Sequence, residues 1–206
     1  MATSRPKEMQ RPILQFVIAS LGVDPLVWRR IRVPGNYTFW GLHVAIQDAM
    51  GWLDYHLHEF ELNDPGTGMR IKIGLPDDEG LYDWEVLPDH ALHIADYFSS
   101  LNAHALYTYD FGDGWRHLLA FEDHLPREKG VKYPYCLSGE RKCPPEDCGG
   151  PGGYAYFLQA IRDPHHDHHD EYLTWIGGAF DPTDFQPEQV DFDDPAERRR
   201  IAFNEE

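Results

Sequence analysis

Asp110, Asp113 and His117 lie within one short predicted hairpin, and their side chains are of types that do chemistry. A carboxylate beside an imidazole can hold a metal ion, or can act as a general base together with the group that orients it. Two plainer interpretations compete. Asp113 lies between two glycines, where aspartate favours a tight turn. His117 has apolar neighbours, where a histidine is more often part of the core.

A second pair of carboxylates, Glu146 and Asp147, lies in the string Pro-Pro-Glu-Asp-Cys-Gly-Gly. The flanking prolines and glycines hold the backbone in a fixed conformation, so one carboxylate can accept backbone N–H groups while the other faces a cavity as a base or ligand. The structural role is favoured. Gly149 and Gly150 precede a predicted helix, but no lysine or complete phosphate-loop pattern accompanies them, so an anion site is only weakly indicated.

We expect the hairpin and this loop to pack together, because the loop has too many prolines and glycines to hold itself and the hairpin offers large flat rings. The predicted polar cleft consists of Asp110, Asp113, Trp115, His117, Glu146 and Asp147. An imidazole beside carboxylates in such a cleft should have a raised pKa and be partly charged near neutral pH.

Three cysteines, Cys136, Cys143 and Cys148, form a C-x6-C-x4-C pattern in the same Pro/Gly-rich region. Thiolates bind zinc well, and a loop without regular structure gains most from a metal. His117, or one of the pair His56 and His58, would supply a fourth ligand. The spacing differs from that of common zinc modules, so small buried thiols that pack the loop are the favoured alternative.

Two further histidine patterns carry weaker indications. The H-x-H spacing of His56 and His58 places two imidazoles on one face of a strand, which suits a metal, although a polar strand end is an equally good interpretation. The run of histidines and acids over residues 165–171 would bind divalent metal adventitiously. A solvated helix start, with acidic groups near the positive end of the helix, is favoured there.

The elements that must position these residues follow an α+β pattern. Period-two alternation predicts strands over 13–21, 27–33, 56–62 and 69–73, with a hairpin over 105–111 and 115–121. A helix over 38–50 would have Thr38 as its N-cap and Gly51 as its C-cap, and further helices are expected over 154–162, 170–176 and 197–203. Residues 125–153 are predicted to be an ordered loop with little regular structure, and 76–90 an irregular excursion.

These elements predict one α+β domain over residues 12–206, preceded by a flexible segment over 1–11. The sheet should be mixed or antiparallel, with one helix after the second strand and a helical C-terminal segment. Apolar faces predict a shared core, whose members are Phe16, Ile31, Leu42, Ile46, Ala49, Tyr107 and Leu119.

The chain is acidic: 18 Lys and Arg residues against 35 Asp and Glu residues give a formal net charge of −17. Such a surface disfavours a general nucleic-acid coat, although Arg29, Arg30 and Arg32 could form a local basic patch. Internal ion pairs are the favoured role of these arginines and of residues 198–200. Three cysteines, no long apolar run and no secretory pattern predict a cytoplasmic protein with no membrane association.

Four strings carry a resemblance that covers nearly the whole chain, from about residue 13 to residue 192. They are Trp28-Arg29-Arg30, His56-Leu57-His58-Glu59-Phe60, the string from Tyr109 to His117, and Cys143-Pro144-Pro145-Glu146-Asp147-Cys148-Gly149-Gly150 followed by Gly153-Tyr154. The sequence resembles the plasmid pRiA4b ORF-3-like family, whose members include passenger proteins of bacterial insertion sequences. The resemblance implies a compact α+β domain and no established reaction, and its link to mobile elements is one of association.

The favoured functional hypothesis is a non-catalytic binding or interaction domain for an unknown protein or small ligand. One alternative is a metal-dependent hydrolase that uses Asp110, Asp113, His117 and Glu146 around one cleft, with zinc as the expected ion. A nucleic-acid binder that uses the arginine patch ranks last, because of the net charge.

Overall fold

The computed structural model describes residues 11–76 and 85–204. The strands of this part are β1 (Ile13–Ser20), β2 (Trp28–Pro34), β3 (His58–Asn63), β4 (Arg70–Gly74), β5 (Val86–Pro88), β6 (His104–Tyr109), β7 (Trp115–Leu125) and β8 (Tyr135–Glu140). The helices are α1 (Phe39–Met50), α2 (Gly150–Arg162), α3 (His169–Trp175) and α4 (Pro195–Phe203), with short 3₁₀ turns at Ile94–Asp96 and Pro187–Gln189. The flexible segment predicted over 1–11 lies outside the described residues, apart from Arg11.

One eight-stranded sheet organises the described chain, in the order β5-β4-β3-β6-β7-β1-β2-β8. All neighbouring strands are antiparallel except β4 and β5, which are parallel. The predicted α+β class with a mixed sheet is confirmed. No helix in the described ranges has the length and apolar character that crossing a membrane requires.

The helix α1 follows β2 and has the predicted caps. The Thr38 side chain accepts a hydrogen bond from the Gly41 backbone N–H, and Gly51 ends the helix with a φ of 84°. That left-handed conformation is one that glycine adopts without steric cost. The helix packs on one face of the sheet, where Phe39 contacts Phe60 and His43 contacts Tyr107.

The core lies between α1 and this inner face of the sheet. Every residue predicted to share it is buried there, so the prediction is confirmed: Phe16, Ile31, Leu42, Ile46, Ala49, Tyr107 and Leu119. The alternation of β1, β6 and β7 directs their apolar side chains to this one face.

Two strands were absent from the sequence-based prediction. The region 125–153, predicted to be a loop, contains β8, which pairs with β2 at the sheet edge. The excursion predicted over 76–90 contains β5, three residues long. Both strands lie at sheet edges and are short, so pairing with a distant part of the chain forms them rather than a local apolar pattern.

The C-terminal segment crosses α1 and covers its outer side. The Trp40 indole donates a hydrogen bond to the Pro195 carbonyl at 2.8 Å, and its ring contacts Phe203. The Arg198 guanidinium lies 2.6 Å from the Asp48 carboxylate. These contacts hold α4 beside the segment that follows α1. That segment leads into the candidate site.

Candidate functional site

The turn between β6 and β7 is held by Asp110. Its backbone has a φ of 53°, and its Oδ1 accepts hydrogen bonds from the backbone N–H groups of Gly112 and Asp113, at 2.9 and 3.2 Å. The strand therefore ends at Tyr109. Phe111 is 48% exposed, whereas Tyr109 is buried, because the left-handed residue between them breaks the alternation of the strand.

The Pro/Gly loop packs directly on this turn. The Asp113 Oδ2 accepts a hydrogen bond from the Gly149 backbone N–H at 3.0 Å. At Gly150, a Cβ atom would lie 2.2 Å from the Asp113 carbonyl oxygen, so only glycine fits this contact. The Asp113 side chain thus joins the hairpin to the loop. The turn itself, which Asp113 was expected to stabilise, is held by the Asp110 side chain.

A third segment, residues 52–57 after α1, completes the site. The Trp52 indole donates to the Pro144 carbonyl at 2.9 Å, and the Leu53 backbone N–H donates to Glu146 Oε2 at 2.9 Å. The Tyr55 backbone N–H donates to the Tyr109 hydroxyl at 3.0 Å. The hairpin, the Pro/Gly loop and this segment therefore form one hydrogen-bonded unit.

His56, Asp110 and Asp147 converge at the junction of these three segments, and we call them the His56 cluster. The His56 Nε2 lies 2.9 Å from Asp147 Oδ1 and 3.6 Å from Asp110 Oδ2. One ligand atom from each residue lies within 4.8 Å of the others. Asp110 is buried, His56 is partly exposed and the Asp147 side chain is 65% exposed, so the cluster opens to solvent on one side.

The predicted pairing of His56 with His58 is wrong. His58 is buried, stacks on His43 with 3.5 Å between the ring centroids, and lies 3.0 Å from Asp89. The strand β3 begins only at His58, so His56 belongs to the preceding segment and turns toward Asp147. The imidazoles of His56 and His58 therefore lie in different environments.

His43 belongs to a buried polar network behind the site. Its Nε2 lies 2.8 Å from Asp54, and its Nδ1 lies 2.8 Å from the Tyr107 hydroxyl, which also accepts a hydrogen bond from Gln47. Burial, reinforced by the nearby His58, lowers the pKa of His43 to about 4. A neutral imidazole with its proton on Nε2 satisfies both contacts.

His117 and Trp115 do not line an open cleft, contrary to the prediction. Both are buried in the core, and the His117 ring contacts Trp52 and Tyr107. Within the described residues neither ring nitrogen of His117 has a hydrogen-bond partner. Burial lowers the pKa of His117 to about 3, so the predicted rise is also wrong: removal from water disfavours the charged imidazole, and the Tyr107 backbone offsets this effect only in part.

The cysteines are free and buried. Burial raises the pKa of Cys136 to about 11 and that of Cys148 to about 12, and it raises the pKa of Cys143 strongly. The described part of the chain brings three metal-ligand side chains together at the His56 cluster, and the cysteines are not part of that group. A zinc ion held by these three cysteines and His117 stays a prediction.

The arginines predicted as a basic patch are engaged within the molecule. Arg29 is 1% exposed and donates to the Ala49 carbonyl. Arg30 pairs with Glu122 at 2.8 Å, and Arg32 pairs with Glu128 at 3.1 Å. These contacts match the internal role that the sequence favours for them.

The sequence identifies Asp110, Asp147 and Glu146 as candidate site residues. It does not predict the contact of Tyr109 with Glu146, or the contacts of His56 with the two aspartates. Residues 52–57 alternate between buried or half-buried side chains and exposed apolar ones. Because the exposed side chains are the apolar ones, a period-two reading of the sequence would direct His56 outward, opposite to its observed orientation.

Comparison with known proteins gives consistent matches. The family model described as plasmid pRiA4b ORF-3-like protein matches residues 12–189. The uncharacterized protein y4hQ of Sinorhizobium fredii (strain NBRC 101917 / NGR234) is 39% identical over 160 residues, which are 76% of this chain and 77% of that protein. The crystal structure of MM3350, a protein of unknown function from Methanosarcina mazei Go1, has a TM-score of 0.82 and 43% identity, over 88% of this chain and 99% of that one. With its sheet, its hairpin turn and its Pro/Gly loop all inside the matched range, the chain belongs to the plasmid pRiA4b ORF-3-like family.

Proposed function

We propose that this protein is a binding domain and that its ligand contacts the surface around the His56 cluster. One observation carries the proposal: four large apolar side chains in the two segments that carry His56 and Asp110 are open to solvent. Leu53 is 63% exposed, Tyr55 72%, Leu57 48% and Phe111 48%. We call these four residues the apolar rim. Apolar groups grouped around a polar centre are typical of interaction sites.

The backbone that carries the apolar rim is held in place before any ligand binds. The hydrogen bonds of Leu53 to Glu146 and of Tyr55 to Tyr109 fix the segment, and the Asp110 carboxylate fixes the turn that presents Phe111. A preformed surface loses little conformational entropy on association, which favours binding.

Charge indicates the chemistry of the ligand. The net charge is −17, and the Asp147 carboxylate beside the rim segment is 65% exposed. A polypeptide segment with apolar side chains and Lys or Arg residues complements this surface. Nucleic acid is disfavoured, because the arginines that would contact phosphates pair internally.

The burial of the reactive side chains supports binding over catalysis. The three cysteines are buried with raised pKa values, which disfavours a thiolate nucleophile. His117 is sealed from solvent and uncharged at neutral pH, so it is a poor general base for an external substrate.

Site-specific photocrosslinking in cells of the native host tests the proposal. A benzoylphenylalanine at Tyr55 replaces one exposed aromatic ring with another, and we expect it to form a discrete adduct with a polypeptide. The control position is Leu101, which is 98% exposed and precedes the opposite end of β6. The absence of an adduct from Tyr55, Leu53 and Phe111, or the same adduct from Leu101, would contradict the proposal. An adduct removed by nuclease would favour the nucleic-acid alternative.

A metal-dependent hydrolase is the second candidate, and the His56 cluster is the observation that favours it. Such an enzyme would use an ion at the cluster to activate water. Turnover of a chromogenic phosphate ester by the zinc-loaded chain, with loss of turnover in Asp147→Asn, would favour this candidate over a binding domain.

A further inference from the structure

We propose that the His56 cluster binds a divalent transition-metal ion, for which Zn²⁺ is the best fit, through His56 Nε2 and one carboxylate oxygen each of Asp110 and Asp147. The inference rests on the proposed function, because the ion would lie within the surface that we propose for ligand binding. The apolar rim would then lie beside a bound cation.

The distances suit an ion of this size. Ligand atoms about 2.0–2.2 Å from a tetrahedral ion lie about 3.3–3.6 Å apart. The His56 Nε2 lies 3.6 Å from Asp110 Oδ2 and 2.9 Å from Asp147 Oδ1. The His56–Asp110 distance already suits such an ion, and an increase of about 0.4 Å at the exposed Asp147 side chain brings the His56–Asp147 distance into the same range.

The turn that Asp110 holds orients its carboxylate toward the cluster. The residue is 8% exposed, and its Oδ1 holds the turn through two backbone N–H groups. Within the described residues its Oδ2 accepts no hydrogen bond, and it points into the cluster 3.6 Å from His56 Nε2. Because the turn occupies Oδ1, Oδ2 is the oxygen that is left to serve as a ligand on the side of His56.

The mixture of ligand atoms selects the kind of ion. One imidazole with two carboxylates suits zinc or manganese, whereas calcium and magnesium prefer oxygen ligands alone. Three protein ligands leave a fourth tetrahedral position open on the side where Asp147 is exposed. A carboxylate or phosphate group of a bound partner can occupy that position.

Asp110→Asn and Asp147→Asn are suitable test variants. Both residues have left-handed backbones, with φ values of 53° and 58°, and asparagine adopts that conformation readily. An asparagine at position 110 retains a carbonyl oxygen that can accept the two turn hydrogen bonds. Each variant therefore removes a negative charge and weakens a ligand while the fold is kept.

Zinc titration calorimetry on the metal-free full chain tests the inference. We expect one zinc ion per chain, with an affinity at least tenfold weaker in Asp110→Asn and in Asp147→Asn. The control His166→Ala/His168→Ala removes two adventitious ligands of the histidine-rich segment and should leave this site unchanged. Equal affinities in the wild type and both asparagine variants, or loss of the site in the histidine control, would overturn the inference.

The two proposals fail separately. Zinc binding that depends on Asp147, together with no adduct at Tyr55, would support the metal site and contradict the binding function. A Tyr55 adduct, together with no Asp147-dependent zinc binding, would overturn the metal site and leave the binding function standing.

Discussion

The Tyr109 hydroxyl lies 2.6 Å from Glu146 Oε1. This hydrogen bond joins the end of β6 to the Pro/Gly loop, and the same hydroxyl accepts the Tyr55 backbone N–H at 3.0 Å. One phenol group thus connects the three segments of the site. Burial raises the pKa of Tyr109 strongly, and the carboxylate of Glu146 adds to this effect, so the hydroxyl remains a proton donor at neutral pH.

Replacement of this hydroxyl should loosen the site. Tyr109→Phe leaves Glu146 and the Tyr55 N–H without their partner, and we expect a loss of roughly 1–3 kcal/mol in the free energy of unfolding. Urea denaturation measures the change. Tyr156→Phe, at a partly exposed ring on α2, is the control and should change stability by less than about 0.5 kcal/mol. Equal stability of the two variants would contradict the connecting role of Tyr109.

His117 should be replaceable by a ring without polar atoms. Neither of its ring nitrogens has a partner within the described residues, so His117→Phe removes buried polar groups and should leave stability equal or up to about 1 kcal/mol higher at pH 7. His117→Ala instead leaves a cavity beside Trp52 and should cost roughly 2–4 kcal/mol. Chemical denaturation of both variants checks the pair. Equal losses in both would show that the nitrogens make stabilising contacts.

Acid should destabilise the protein through its buried histidines. Burial lowers the pKa of His43 to about 4 and of His117 to about 3, against an ordinary value near 6.5. Between these values the unfolded chain binds more protons than the folded chain. The stability that the neutral rings contribute is therefore complete above about pH 6.5, and it falls by up to roughly 1.4 kcal/mol per pH unit for each group as the pH drops toward 4.

The comparison of wild type with His117→Phe isolates one of these groups. Denaturation curves at pH 7, 6 and 5 should show a shallower loss of stability in the variant, because it lacks one of the two titrating rings. Parallel pH profiles for the two proteins would mean that His117 carries no shifted titration.

The core beneath α1 should be sensitive to truncation. Ile46 is 0% exposed between α1 and the sheet, so Ile46→Ala should cost roughly 2–4 kcal/mol. Ile201→Ala, at a residue that is 64% exposed on α4, should cost less than about 0.5 kcal/mol. Thermal or urea unfolding separates the two, and a small effect at Ile46 would contradict the described packing.

The parts of the fold that the sequence predicts are those governed by local chemistry. Thr38 and Gly51 bound α1 because capping depends on residues within one helical turn. The strands β1 and β2 alternate clearly because one face of each meets the core. The strand β8 lacks such a pattern, since its place depends on pairing with β2 about a hundred residues earlier in the chain.

The candidate site likewise contains residues that local chemistry predicts and a residue whose position it does not predict. Asp110 and Asp147 are identifiable from sequence because each precedes a glycine by two residues, in segments whose composition is typical of turns and fixed loops. The turn of His56 toward both carboxylates depends on how three distant segments pack, which no local pattern encodes. The placement of His117 in the cleft is wrong, whereas the core position that its apolar neighbours indicate is the one that the structure has.

X-ray absorption at the zinc edge tests the metal site most directly, on the zinc-loaded His166→Ala/His168→Ala chain. The His56 cluster predicts a shell of nitrogen and oxygen at about 2.0–2.2 Å, with scattering from one imidazole and no sulfur. Replacement by Asp147→Asn should reduce the bound zinc. A sulfur shell at about 2.3 Å would instead place the ion at Cys136, Cys143 and Cys148, and would contradict the assignment of the site to His56, Asp110 and Asp147.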